Sequence, residues 1–139
     1  MLDKIKEMTK DMEYNKPATK EELEEIEKEF NIKLPENYKD FMLLTNGAEG
    51  PIGKYGYLAI FDTEEVKWYN AESPLKENFP ELFFIASIRG GYVYAIDTRK
   101  ESTKYVQVDD LATNYDEVKE ICDKFEKLIE FEYLIDDSE

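Results

Sequence analysis

Leu82-Phe83-Phe84-Ile85-Ala86-Ser87-Ile88, Arg89-Gly90-Gly91, and Tyr92-Val93-Tyr94-Ala95-Ile96-Asp97 follow one another without a break. Two strongly apolar runs therefore flank a Gly-Gly pair. Paired glycines supply the positive φ that a tight hairpin needs, so the stretch reads as two antiparallel strands. Tyr57 to Phe61 upstream and Lys104 to Asp109 downstream read as further strands, with Val106 and Val108 on one face of the latter. Hairpin-length connections exclude a parallel doubly wound sheet. The expected centre is an antiparallel meander.

Helices flank this centre. Leu2, Ile5, Met8 and Met12 make one apolar stripe, predicting a short helix from Leu2 to about Glu13. Thr19 with Glu22 three residues on is a capping box, opening a second helix with Leu23, Ile26 and Phe30 inward. Pro35 suits the first position of a third helix, which Asn46-Gly47 ends. Gly47 to Gly56 is dense in glycine and reads as a loop, Asp62 to Ala71 as a short helix or turn, and Glu72 to Pro80 as irregular. At the C-terminus Val118, Ile121, Cys122, Phe125, Leu128 and Ile129 fall at i, i+3, i+4, i+7, i+10 and i+11, predicting a long amphipathic helix packed on the sheet, capped by Asp116 or Asn114. The tail from Glu130 to Glu139 carries five acids and no base. Clustered strands between helices make the class α+β, in one domain over residues 1–139.

Thirty-three acids oppose 18 bases, with no histidine, for a net charge of −15. Such a chain repels nucleic-acid phosphates and anionic membranes and attracts a basic protein; the same acidity also serves solubility alone. No apolar run reaches the length of a membrane span, and the charged start Met1-Leu2-Asp3-Lys4-Ile5-Lys6 has no signal-peptide core, so a cytoplasmic location is expected.

Little here points to catalysis. Without histidine the commonest general base and metal ligand is missing. Cys122, placed with Ile121 and Phe125 on an apolar helix face, reads as a buried structural thiol. The Gly47 to Gly53 stretch lacks the lysine and hydroxyl of a phosphate loop. Asp109-Asp110 and Asp136-Asp137 lack the ligand spacing and central glycine of a calcium loop. No catalytic residue, cofactor or metal is therefore expected. Tyr, Trp and Arg are enriched where partners dock, and recognition tends to sit on irregular segments of a rigid scaffold. The candidate partner-binding residues are Glu49, Tyr55, Trp68, Tyr69, Arg89 and Tyr92.

Thr19-x-x-Glu22, Ile26-Glu27, Phe30, Leu34-Pro35, Tyr38, Phe41 and Asn46-Gly47-Ala48-Glu49-Gly50, in that order, resemble the opening signature of the SUKH superfamily, the Smi–Knr type. Tyr57 to Phe61, Phe83 to Ser87, Gly90 to Asp97 and Val106-x-Val108 are similar to its later strands. Two departures stand out. Ala48 replaces a common second glycine, and Arg89 precedes the hairpin glycines where an acid is frequent. The resemblance implies an immunity protein that binds and neutralises a cognate polymorphic toxin, often a nuclease, without cofactor or catalytic residues. Its alternative is a regulatory or scaffold interaction module of the same fold. An enzyme or small-ligand carrier would instead need a deep pocket with convergent carboxylates of raised pKa.

Overall fold

A computed structural model describes residues 2–136 of the chain. Its elements run α1 (Leu2–Met8), β1 (Glu13–Tyr14), α2 (Lys20–Glu29), α3 (Glu36–Leu44), β2 (Ala48–Ile52), β3 (Gly56–Ile60), α4 (Thr63–Ala71), α5 (Pro74–Asn78), β4 (Leu82–Ser87), β5 (Tyr92–Asp97), β6 (Tyr105–Asp109), β7 (Lys119–Cys122) and α6 (Phe125–Tyr133). The strands form a seven-stranded sheet in sequence order, each pair antiparallel. The class is α+β, with a meander between helices and the C-terminal helix against the sheet.

Local signals place several of these elements. Thr19 and Glu22 form the capping box of α2, and Asp62 and Glu65 form another at α4, satisfying amides that a helix start leaves open. The β4–β5 hairpin closes through Arg89, Gly90 and Gly91, all at positive φ. All six residues of β4 and five of the six in β5 are buried, so the sheet centre is covered on both faces.

Beyond the end of β3 the inner edge of β4 is filled by side chains. The Asn70 amide of α4 donates to the Phe84 carbonyl at 2.9 Å, and its oxygen accepts from the Phe84 N–H at 2.7 Å. Lys76 of α5 donates to the Leu82 carbonyl at 2.7 Å, and half-burial lowers its pKa. Each such bond answers a buried backbone group that would otherwise be unpaired.

Helix α6 packs across the sheet, touching both β7 and β3. Phe125 packs against Tyr38 and Phe41 of α3 and Tyr105 of β6. Tyr94 of β5 donates to the buried Glu132 carboxylate of α6, and Gln107 of β6 donates to the Tyr94 hydroxyl at 3.0 Å. Burial raises the Glu132 pKa, with the Tyr94 hydrogen bond working against that rise.

Five expectations need correction. The stretch Val118 to Cys122 is not helical: Lys119 to Cys122 form β7, and α6 starts only at Phe125. The outer edge of β6 offers a row of hydrogen-bonding groups, and pairing Gln107 with Lys119 and Tyr105 with Cys122 outweighs a helical spacing that the segment shares by coincidence. Cys122 accordingly sits half-buried on a strand. Its Sγ donates to the Lys124 carbonyl, and burial pushes its pKa up to about 11.

The glycine-dense stretch is strand and turn, not loop. Gly47 takes φ +75°, and a Cβ there would lie 2.5 Å from the Ile60 carbonyl oxygen; Gly53 at φ +62° abuts the Tyr133 backbone in the same way. These glycines permit close backbone approach. The first helix ends at Met8, followed by the short strand β1; Pro35 is the N-cap of α3 and not its first residue; and Ser73 caps the short α5 within the segment expected to be irregular. Of the Asp136-Asp137 pair and the acidic tail, residues 137–139 lie outside the described residues.

Asn70→Ala, which strands the Phe84 N–H and carbonyl, is expected to lower stability by about 3 kcal/mol, seen as a lower urea midpoint at unchanged slope. Glu132 gives a pH signature. Its pKa in the folded chain lies above the ordinary 4.5, so its contribution is full below that value and is lost as pH rises through the folded pKa. Urea unfolding of wild type and Glu132→Gln across pH 4–8 should show the variant gaining relative stability as pH rises.

Candidate partner-binding surface

The turn of the β4–β5 hairpin projects Arg89 across the sheet end toward β2 and α4. Its backbone sits at φ +58°, a region costly for a side-chain-bearing residue. Three contacts hold it there. Nε and Nη2 donate to the two Glu49 carboxylate oxygens at 3.1 and 2.9 Å, and Nη2 also donates to Glu65 at 2.6 Å. The guanidinium lies 5.8 Å from the centre of the Phe61 ring.

Each partner is placed by its own element. Glu49 is the second residue of β2, opposite Ala59 of β3. Tyr57, two residues before Ala59, therefore shares its face, and its hydroxyl donates to Glu49 at 2.7 Å. Glu65 is held by the α4 capping box: one oxygen accepts from the Asp62 N–H, leaving the other for Arg89. Phe61 stacks on Tyr69 at 4.2 Å, and Trp68 meets Tyr69 edge-on at 5.0 Å.

The electrostatics follow from these bonds. Arg89, first, and Tyr57 lower the Glu49 pKa against the opposing effect of burial, while the two carboxylates push the Arg89 pKa up. The neighbouring Lys67 is committed to Glu25 at 2.8 Å. Both cations of the patch are thus paired, and Asp62 and Glu64 add further negative charge. Trp68 is 47% exposed, Tyr92 45% and Tyr57 41%. The surface offers aromatic faces, carboxylates and one braced guanidinium; of these, the aromatic and arginine side chains are the types enriched where proteins dock.

Of the six residues expected from sequence, Glu49 and Arg89 meet directly, and Tyr69 and Trp68 join them through Phe61. Tyr92 stands in the same hairpin, opposite Asp109 of β6. Tyr55 is set apart in the β2–β3 turn, where the Lys54 ammonium lies 5.5 Å from its ring centre. The six residues selected from sequence leave out Tyr57, Phe61 and Glu65. The Asp62-x-x-Glu65 capping box carried a usable signal for Glu65. Among the described residues, no group of three or more cysteine, aspartate or glutamate side chains is arranged to hold a metal ion, and no helix is long and apolar enough to cross a membrane.

Residues 17–130 match the sequence profile described as the SMI1 / KNR4 family (SUKH-1). The chain is also 29% identical over 87 residues to a Bacillus subtilis (strain 168) protein named "Uncharacterized protein YnaB". That alignment covers 63% of this chain and 55% of the relative, so the chain spans little more than half of that protein's length.

Arg89→Gly removes the ion pairs but also the cost of positive φ, whereas Arg89→Ala removes only the pairs. The glycine variant should therefore be more stable than the alanine variant by about 1 kcal/mol. A double-mutant cycle of Glu49→Gln and Arg89→Ala should give a coupling of about 0.5–1 kcal/mol, as for a well-aligned surface pair. Urea unfolding measures both.

Proposed function

The chain belongs to the SMI1 / KNR4 family (SUKH-1), and on that footing we propose that it is an immunity protein that binds and neutralises a cognate polymorphic toxin. The observation that carries this reading is the Glu49–Arg89–Glu65 cluster with its exposed aromatic rim, on a chain of net charge −15. A nuclease toxin has to present a basic surface to phosphates. An acidic, aromatic face complements such a surface, and the net charge speeds the encounter. Aromatic side chains on rigid elements supply contact area at small entropic cost, so Trp68, Tyr57 and Tyr92 are the expected anchors.

The test is co-expression with the product of the adjacent toxin gene. Restored growth and a co-purifying complex are the expected result. Glu49→Lys with Glu65→Lys should weaken that complex by about a hundredfold and abolish protection, with the loss concentrated in the association rate at low salt. Absence of both rescue and binding would remove the immunity reading.

A further inference from the structure

At the opposite end of the sheet from Arg89, a pocket of about 140 Å³ opens between the start of α3, the β5–β6 loop and the start of α6. Its wall includes Pro35, Glu36, Thr103, Tyr105, Lys124 and Phe125. Two features of this wall belong together. The first is that two nine-residue helices point their N-termini into it, and neither has a side-chain cap: the N-cap of α3 is Pro35 and that of α6 is Lys124. By contrast Thr19, Asp62 and Ser73 cap α2, α4 and α5. The amides of Glu36, Phe125 and Glu126 precede the first amides bonded within their helices, Lys39 to Pro35 and Lys127 to Lys124.

The second feature is independent of the helices. Tyr105 of β6 lines the pocket and is 1% exposed, and among the described residues its hydroxyl is the one buried side-chain polar atom without a hydrogen-bond partner. Burial raises its pKa, so it is a donor in need of an acceptor. Thr103 and Lys124, both with donor-bearing side chains, are also among the residues that line it.

We propose that this pocket binds a small oxyanion, a carboxylate or phosphate group, held between the two helix N-termini and the Tyr105 hydroxyl. Helix N-termini combine open amides with the positive end of the helix dipole, the usual recipe for anion binding. Two acids also line the pocket. Glu36 is drawn to Lys39 at 3.3 Å, while Asp123 lies exposed at the mouth and opposes an incoming anion. That opposition makes the sign of the charge dependence a test of the ligand class. The site is separate from the Arg89 surface, and nothing in it rests on the immunity reading.

The experiment is a ¹H–¹⁵N titration of the full chain with sodium phosphate and, separately, sodium acetate, at ionic strength held constant with sodium chloride. Saturable shifts at the amides of Glu36, Phe125 and Glu126 are expected with at least one of the two. Saturation by phosphate alone, acetate alone or both identifies the oxyanion accepted. Tyr105→Phe should weaken binding about tenfold without lowering the melting midpoint. Should Tyr105→Phe fail to fold, two exposed positions carry the test: Lys124→Gln should weaken binding and Asp123→Asn should tighten it. No saturation with either anion overturns the proposal. So does unchanged binding in a folded Tyr105→Phe, or reversed signs at Lys124 and Asp123.

Discussion

Strand β4 is buried along its whole length, so both of its hydrogen-bonding edges have to be filled. One edge is taken by β5. On the other, β3 pairs with only Ala86 and Ser87, and the Phe61 amide reaches the Ile85 carbonyl. Asn70 and Lys76 complete the edge from α4 and α5. That requirement fixes α4 beside the sheet. With α4 fixed, its first turn lies next to the β4–β5 hairpin, and Glu65 meets Arg89 there. The surface proposed to bind a partner is thus positioned by the need to satisfy a buried strand.

Arg89 shows how this scaffold is used. A residue at φ +58° in a hairpin persists when its surroundings over-determine it. Here two carboxylates from different elements and one aromatic ring do so. The brace costs stability in the turn and returns a preorganised guanidinium flanked by acids, and preorganisation reduces the entropy lost on docking.

The central hairpin, the capping box of α2 and the start of α4 near Asp62 were legible because their signals are local: Gly90-Gly91, Thr19 with Glu22, and Asp62 need no tertiary information. What stayed hidden depends on contacts distant in sequence. Strand β2 looked like a loop because Gly47 and Gly53 serve close approach to β3 and α6, which sequence does not display. Strand β7 looked like a helix because Val118, Ile121, Cys122 and Phe125 fit a helical period, while the open edge of β6 that recruits residues 119–122 is invisible locally. The site divides in the same way. Residue type singled out Glu49 and Arg89, but their pairing across 40 positions, and the entry of Tyr57 and Glu65, are products of the sheet register.

Family membership and the geometry of this surface meet in the proposal that a partner docks on the sheet end that carries Arg89. Amide hydrogen exchange of the chain, free and in complex with the proposed cognate toxin, tests that proposal most directly. The expected result is slowed exchange confined to the segments around Glu49 to Tyr57, Glu65 to Tyr69 and Arg89 to Tyr92. Protection elsewhere, with these three segments exchanging as in the free chain, would contradict it.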